Sequence, residues 1–381
     1  MKAKEIKVLL VEDSPSDAEF VRAALAEPHG VTFTVTVAPR LADAVAHLQS
    51  AGADAVLLDL GLPDSQGLPT LEELFQVCGA DTAIVVLTGN DDEALGPQAL
   101  QLGAQDFLSK KHITNGRALT RCLSYGHERM QRGVMERQIA HTQRSLEVAR
   151  AIQQHLIPKE APRHAAFDIA GMCNPAEATG GDFFDFIPMA GGRLGVVVAD
   201  VAGHGFGPAL IMAGTRRALR SVAKTTADPG AILTFVNEAV CEDTDPESFV
   251  TLFLACLDQD GTVVCAGAGH NAHLFDADGR VTRLDAADLP LGLVVGGVYA
   301  STAPVALRPG QLLLLVSDGV YEAHRTEDGP QVGLPAVLDY VRDHRHLPAT
   351  AIVDGLFELV LRFCYPACPH DDMTAVVVKC G

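Results

Sequence analysis

The first 128 residues alternate short apolar runs with segments whose apolar residues recur at helical spacing. Five runs have the length of buried strands, and five amphipathic segments follow them in turn. The predicted strands span 6–11, 31–37, 55–60, 84–88 and 106–109, and the predicted helices lie near 15–27, 39–50, 67–78, 92–103 and 114–128. Repeated β-α units with right-handed crossovers predict a doubly wound parallel α/β sheet.

Residues 130–158 carry a different pattern, in which the steps between apolar positions alternate between four and three. The positions of this seam are Met135, Ile139, Thr142, Leu146, Ala149, Gln153 and Leu156. A seam of about three heptads predicts a helix that pairs with another helix, and its two polar residues predict a modest pairing that can shift. A single amphipathic helix docked on its own domain is the alternative. The position between two unlike patterns favours a helical coiled-coil linker that couples two domains in a homodimer.

Beyond residue 158 the pattern changes to longer β-rich runs with glycine between them. Strands are predicted at 194–201, 249–257, 262–266, 312–317 and 373–378, and helices near 207–224, 229–241, 333–345 and 349–362. Because single helices do not separate these strands regularly, we expect an α+β domain of stacked sheets flanked by helices. The predicted domains are therefore 1–128, a linker over 129–158, and 159–381.

Composition narrows the classes of partner. The formal net charge of −19, without a basic patch, disfavours nucleic acid and anionic lipid as partners. No apolar run reaches the roughly 18 residues that a membrane span needs. The nine cysteines form no CxxC pair, which is typical of reduced thiols in the cytoplasm.

Polar residues of the first domain fall where its predicted strands end. Glu12 and Asp13 follow the first strand, Asp59 and Thr88 end the third and fourth, and Lys110 follows the fifth. Three carboxylates at one edge of a sheet repel one another, which a hard cation such as Mg²⁺ would offset. One carboxylate could then accept a phosphoryl group, while Lys110 and the Thr88 hydroxyl neutralise charge on its oxygens.

Four motifs resemble the receiver domain of two-component response regulators. They are VEDS at 11–14, LLDLGLPDSQG at 57–67, LTG at 87–89 and DFLSK at 106–110. The resemblance implies a flavodoxin-like sheet of order 2-1-3-4-5 and a cognate histidine kinase that phosphorylates Asp59. It also implies that Glu12, Asp13, Asp59 and the main chain of Gly61 hold Mg²⁺, and that Thr88 and Phe107 form a switch pair.

Carboxylates of the second domain also adjoin predicted strands. They are Asp182, Asp185, Asp200, Asp318, Asp371 and Asp372. Any one of them can be explained as part of a turn. Together, acids beside buried strand ends are costly unless they are paired or bind metal, and two hard cations there could activate water for attack on phosphorus.

This half of the chain resembles the metal-dependent Ser/Thr protein phosphatases (the PPM family), in the bacterial branch that controls sporulation and stress responses. The resemblance implies that two Mn²⁺ or Mg²⁺ ions are held by Asp182, Asp200, the Val201 carbonyl, Asp318 and Asp371. Asp200 would bridge the ions and form the catalytic centre with Asp318, whereas the roles of Asp185 and Asp372 stay open. The sequence departs from the usual family pattern at HNAH, 270–273, and at VG, 332–333. These segments are expected at the rim of the substrate site and not among the metal ligands, so the departures concern specificity more than catalysis.

The sequence therefore predicts a response regulator whose receiver controls a phosphatase acting on phosphoserine or phosphothreonine. The expected substrate is a small phosphoprotein of the anti-anti-sigma type. The alternative is a non-catalytic, phosphatase-like adaptor that binds a sigma factor or an anti-sigma partner. A third hypothesis keeps the metals but gives them a small phosphoester as substrate. The sign of regulation is left open.

Overall fold

The computed structural model describes residues 4–26, 31–79, 81–89, 95–110, 113, 116–245, 247–285, 288–326 and 329–381. The chain divides into two compact units, Met1–Gln143 and Arg144–Gly381. Parts of three predicted helices, at residues 27, 92–94 and 114–115, lie outside the described residues. The domain boundaries at 128/129 and 158/159 stay predictions.

The first unit contains one parallel sheet covered by helices on both faces. Its elements are β1 (Lys4–Val11), α1 (Pro15–Ala26), β2 (Val31–Ala38), α2 (Leu41–Ser50), β3 (Ala55–Asp59), α3 (Leu68–Val77), β4 (Ala83–Thr88), α4 (Leu95–Leu102) and β5 (Asp106–Ser109). The strands are ordered β2-β1-β3-β4-β5, which confirms the predicted sheet. Alternate residues of β1 point to opposite faces, so Val8 joins one core cluster and Leu9 the other.

A single helix, α5, runs from Gly116 to Leu156 without a break. It merges the helix predicted at 114–128 with the linker predicted at 129–158. Within one chain the seam residues Met135 and Ile139 are 58% and 48% exposed, whereas Gln153 is only 6% exposed. The two ends of the seam therefore lie in different environments.

The second unit contains two five-stranded antiparallel sheets and five helices among its described residues. Its elements are β6 (Phe167–Asn174), β7 (Phe183–Pro188), β8 (Leu194–Val201), α6 (Phe206–Val222), α7 (Pro229–Asp243), β9 (Val250–Leu257), β10 (Thr262–Ala268), β11 (Ala272–Phe275), β12 (Val281–Leu284), β13 (Val305–Ala306), β14 (Leu312–Val316), α8 (Asp318–Tyr321), α9 (Leu334–His344), α10 (Ala349–Cys364) and β15 (Met373–Cys380). The sheet orders are β13-β10-β9-β8-β7 and β12-β11-β14-β15-β6. The predicted strands and helices are present with shifted ends, and β6, β7, β11, β12 and β13 were not predicted.

The two sheets pack face to face, and helices cover their outer faces. In β8, Val196 and Val198 belong to the core between the sheets, whereas Val197 and Ala199 pack with α6 and α7 on the other side. Helices α9 and α10 cover the outer face of the second sheet. This arrangement confirms the predicted α+β sandwich flanked by helices.

Among the described residues, we found no helix that has both the length and the apolar character needed to cross a membrane.

Candidate functional site

The candidate site of the first unit lies at the carboxyl edge of the parallel sheet. Glu12 directly follows β1, Asp59 and Thr88 are the last residues of β3 and β4, and Lys110 directly follows β5. The strand order reverses between β1 and β3, and the carboxyl ends beside such a reversal form the usual ligand crevice of this fold. The structure therefore brings these residues together.

Three carboxylates in this crevice are spaced closely enough to share a cation. Ligand atoms of Glu12, Asp13 and Asp59 lie within 4.8 Å of one another. The Lys110 ammonium lies 2.6 Å from Asp59 Oδ2 and 2.7 Å from Glu12 Oε2. The cluster thus contains a positive charge of its own.

Burial and the ammonium group of Lys110 shift the pKa of Glu12 in opposite directions. Desolvation raises the pKa of Glu12, and the hydrogen bond and charge of Lys110 offset part of that shift. For Lys110, desolvation favours the neutral amine, but the hydrogen bonds to Asp59 and Glu12 outweigh it and raise the pKa. Lys110 therefore carries a full positive charge at neutral pH.

The remaining residues predicted for this site surround Asp59. The Gly61 N–H donates to Asp59 Oδ1 over 3.1 Å. Thr88 is buried, and its Oγ1 has no hydrogen-bond partner in the described part of the chain. Phe107 packs against Gly96 of α4 so closely that a Cβ on Gly96 would lie 2.5 Å from the ring.

The candidate site of the second unit lies at one end of the sandwich. Asp182 precedes β7, and Asp200 and Val201 end β8. Asp318 begins α8 one residue beyond the end of β14, and Asp371 lies two residues before β15. The start of β7 pairs with the end of β8, since Phe183 lies opposite Ala199. The end of β14 pairs with the start of β15 in the same way. Antiparallel pairing thus gathers acids that are far apart in sequence.

Full or partial burial and the charges of neighbouring acids both shift the pKa values of these acids. Burial and the neighbouring Asp200 raise the pKa of Asp182, which is 3% exposed and whose Oδ2 has no partner among the described residues. Burial, followed by the charge of Asp318, raises the pKa of Asp200 to about 7. Burial and then Asp371 raise the pKa of Asp318. Each acid is therefore a close electrostatic neighbour of the next.

The second unit matches a protein family over half of the chain. The model of the stage II sporulation protein E (SpoIIE) family matches residues 190–381, and the model of the response regulator receiver domain matches residues 8–120. The chain belongs to the SpoIIE family. It joins a receiver domain to a phosphatase domain of the PPM, or PP2C, type.

Individual relatives agree with this assignment. The chain is 28% identical to the phosphoserine phosphatase RsbU of Bacillus subtilis over 277 residues, 72% of this chain and 78% of RsbU. Its receiver part is 34% identical to the transcriptional regulatory protein KdpE of Staphylococcus aureus over 104 residues, 27% of this chain and 43% of KdpE.

Two solved structures share the fold of the phosphatase domain. The SiaA-PP2C domain of Pseudomonas aeruginosa covers 65% of this chain and 99% of its own, with a TM-score of 0.57 and 24% identity. The RsbU and RsbW domains of Rv1364c from Mycobacterium tuberculosis have a TM-score of 0.50 and 26% identity over 57% of this chain and 61% of theirs.

Two acids of the SpoIIE-family domain whose roles the sequence left open bind protein groups. Asp185 has a fully buried side chain, accepts from Arg220 over 2.6 and 2.7 Å, and lies 3.0 Å from Arg216. Asp372 accepts from the backbone N–H groups of Ala176 and Asp182. Asp185 is thus held in an ion-pair cluster, and Asp372 fixes the loop that carries Asp182.

Sequence reasoning missed one residue beside the phosphatase site. Gln153 was assigned to the seam of α5, but its carboxamide is buried and bonds both backbone groups of Gly180. The only signal in the sequence was a polar residue at a position where an apolar one is expected.

Proposed function

We propose that this chain is a response regulator in which a histidine kinase phosphorylates Asp59, and the receiver then controls a protein phosphatase. The phosphatase would hydrolyse phosphoserine or phosphothreonine, with a Mn²⁺ or Mg²⁺ requirement. The observation that carries the proposal is a set of mutually interacting acids at one end of the SpoIIE-family sandwich, in which Asp182 is buried and Asp200 and Asp318 are partly buried. Burial, and after it the charges of neighbouring acids, raise the pKa values of Asp182, Asp200 and Asp318, and bound divalent cations would offset both effects.

The donor atoms of the phosphatase site suit hard cations. Asp182 Oδ2 has no hydrogen-bond partner within the described part of the chain. This supports the proposal, because a buried carboxylate oxygen without a partner is rare unless a ligand completes it. We propose that Asp182, Asp200, the Val201 carbonyl, Asp318 and Asp371 hold two Mn²⁺ or Mg²⁺ ions. When bound, such ions activate water and neutralise charge on a transferring phosphoryl group. The protein residues would hold the ions at a partly buried end of the sandwich.

In the receiver, Glu12, Asp13, Asp59 and the main chain of Gly61 would hold one Mg²⁺ ion. Asp59 would accept the phosphoryl group, since its carboxylate lies among a hydrogen-bond donor and an ammonium group. Lys110 would neutralise charge on the transferred group. The Thr88 hydroxyl, which has no hydrogen-bond partner among the residues that the structure describes, and the Phe107 ring beside Gly96 would change position together on phosphorylation.

The substrate class and the assembly rest on the family relationship. We propose a small cytoplasmic phosphoprotein of the anti-anti-sigma type, because RsbU is a phosphoserine phosphatase and the chain matches most of its length. We also propose that two copies pair through α5, since Met135 and Ile139 are exposed along the predicted seam.

The enzymatic part is tested by turnover of an aryl phosphate and of a phosphoserine protein at increasing Mn²⁺ concentration. We expect Mn²⁺-dependent hydrolysis that Asp200→Asn and Asp318→Asn abolish. Asp354→Asn is the control, because Asp354 is exposed on α10. Absence of turnover at every Mn²⁺ concentration would instead favour the non-catalytic adaptor.

The regulatory part is tested with beryllofluoride, which mimics an aspartyl phosphate. We expect it to change the rate of the wild-type phosphatase and to leave the rate of Asp59→Asn unchanged. An identical wild-type rate with and without beryllofluoride contradicts control by the receiver.

A further inference from the structure

A cavity of about 230 Å³ lies at the end of the second sheet of the phosphatase domain, where the start of β11 pairs with the end of β14. Its lining includes His270, His273, Arg283, Val316, Tyr321 and Leu334. Pockets for drug-sized molecules are commonly larger, about 300–1,000 Å³, whereas a cavity of about 150 Å³ in another protein holds one benzene ring. The volume therefore fits a single amino-acid side chain.

The cavity adjoins one of the proposed metal ligands. Asp318 lies two positions after Val316 and three positions before Tyr321, and both of these residues line the cavity. At these separations their backbones lie within roughly 8 Å of Asp318. After burial, the charge of Asp318 contributes most to the raised pKa of Tyr321, and the charge of Arg283 opposes it. The cavity is therefore beside the phosphatase site.

Arg283 gives this cavity its charge. Burial lowers the pKa of His270 to about 4 and also lowers the pKa of His273, so both imidazoles are neutral at neutral pH. Burial and neighbouring acids raise the pKa of Tyr321 to about 12, so its hydroxyl keeps its proton. Of the described residues that line the cavity, Arg283 alone is charged at neutral pH.

The ion pair that Arg283 makes within the protein is easily replaced. The Arg283 Nε lies 2.5 Å from Asp285 Oδ1, and the two side chains are 59% and 67% exposed. Ion pairs between exposed side chains contribute little to stability. A carboxylate that also fits the cavity would therefore compete well with Asp285 for the guanidinium group.

Both segments in which the sequence departs from the usual family pattern border this cavity. His270 and His273 of the HNAH segment line it. In the VG segment, the Gly333 N–H donates to the carbonyl of Tyr321 over 2.8 Å. Two departures that are distant in sequence thus meet at one place, which indicates that this cavity serves the specificity of this chain.

We propose that the cavity binds an acidic side chain of the phosphoprotein substrate, two or three residues from the phosphoserine. The proposal rests on the proposed function and describes the substrate of that site. An extended peptide advances about 3.3 Å per residue, so a phosphoserine at the metal ions would place such a residue beside the cavity. The Arg283 guanidinium would donate to the carboxylate, and the Tyr321 hydroxyl would be a second donor. Asp or Glu is therefore favoured over Asn or Gln.

The chain offers a matched control for Arg283. Arg280 lies in the loop between β11 and β12, is exposed, and does not line the described cavity. Arg283→Met removes the guanidinium group and keeps most of the side-chain length, and Arg280→Met makes the same change elsewhere in the hairpin. Asp285→Asn removes the competing carboxylate, so it should act in the opposite direction.

The experiment measures kcat/KM of the full-length protein for pairs of phosphoserine peptides in saturating Mn²⁺. The two peptides of a pair differ only in Asp or Asn at one position, and successive pairs move this position away from the phosphoserine on either side. The ratio of the two kcat/KM values is the acid preference, and a variant that is partly unfolded does not change it.

We expect the wild type to prefer Asp by about fivefold to tenfold at a position two or three residues from the phosphoserine, as a charge-assisted bond at a partly exposed site would give. Arg283→Met should abolish this preference, Arg280→Met should retain it, and Asp285→Asn should increase it.

The outcomes separate this proposal from the proposed function. Hydrolysis by the wild type without an acid preference at any position, or a preference that Arg283→Met retains, overturns the acidic subsite and leaves the phosphatase intact. An equal loss of preference in Arg280→Met would assign it to the charge of the hairpin and not to the cavity. A wild type that hydrolyses none of the peptides at any Mn²⁺ concentration overturns the proposed function, and the acidic subsite with it.

Discussion

The receiver and the phosphatase domain each gather buried and partly buried carboxylates at strand ends, but the repulsion between these carboxylates is offset in different ways. In the receiver, the ammonium group of Lys110 lies within 2.7 Å of both Glu12 and Asp59. In the phosphatase domain, the largest influences on Asp200 are burial and another acid, Asp318, and its pKa rises to about 7. Without bound cations, protons must therefore balance part of the charge there.

This difference indicates two kinds of dependence on divalent ions. A cluster that contains its own cation can gain and lose Mg²⁺ with little change in stability. A cluster of acids that repel one another is stabilised more by each bound ion, and the ion must displace protons from the carboxyl groups when it binds. The receiver cluster suits a signal that is switched on and off, and the acid cluster of the phosphatase domain suits a metal cofactor that stays bound.

The largest expected effect is stabilisation of the phosphatase unit by Mn²⁺. At a concentration about one hundred times Kd, each ion contributes about 2.7 kcal/mol to the free energy of unfolding, so two ions contribute about 5 kcal/mol. Urea denaturation in Mn²⁺ and in a chelator measures this difference. Asp200→Asn should remove most of it, and Asp13→Asn should leave most of it. If Asp13→Asn instead removed most of this stabilisation and Asp200→Asn left most of it, the receiver would be the domain that is stabilised more by metal.

A second prediction concerns His270, a buried histidine in the segment AGHN, 268–271, of the phosphatase domain. Burial lowers the pKa of His270 to about 4, so the folded protein keeps it neutral and it adds no positive charge at neutral pH. The unfolded chain takes up this proton near the ordinary value of 6.5, so stability is lost as the pH falls from 6.5 towards 4.

Between about pH 7.5 and about pH 5, His270 should lower the free energy of unfolding by about 2 kcal/mol. Denaturation of the wild type and of His270→Gln at both pH values isolates this contribution, because other groups titrate in both proteins. Equal pH dependence in the two proteins would mean that the pKa of His270 is the same in the folded and the unfolded chain, which would contradict the prediction.

The smallest expected effect lies in the receiver. Lys110→Met removes the internal cation, so Mg²⁺ should bind there about tenfold more tightly, since the loss of a like charge a few ångströms away favours the ion. Calorimetric titration in an Asp200→Asn background would report mainly on the receiver. Phosphorylation by acetyl phosphate should nevertheless slow, because the transferred group loses a positive neighbour. Weaker Mg²⁺ binding in Lys110→Met would contradict the proposed competition.

Much of both sites was predictable because their acids lie beside apolar runs. Asp59 and Asp200 each end a run of buried residues, a pattern that is visible without a structure. Repeated β-α units predicted the parallel sheet of the receiver, and the resemblance to response regulators implied its strand order.

Other features depend on contacts between distant segments. Strand β7 was missed because Asp185 interrupts its short apolar run, so the sequence shows neither a continuous apolar run nor a regular alternation of apolar and polar residues. Asp185 looks like its neighbour Asp182 in sequence, and only the packing of α6 against β7 shows that Arg216 and Arg220 bind it. Gln153 fitted a heptad, and nothing local indicated a bond to a glycine 27 residues later.

The two glycines beside Asp182 also bear on how active and inactive members of this family can be told apart. Because the space above Gly180 is closed by Asp372, a single extra methyl group at that position would force the loop away from its neighbours. A protein could in this way become a pure binding module while every aspartate stayed in its sequence. An inventory of acids is therefore an incomplete criterion for enzymatic competence, and the small residues between them belong in it.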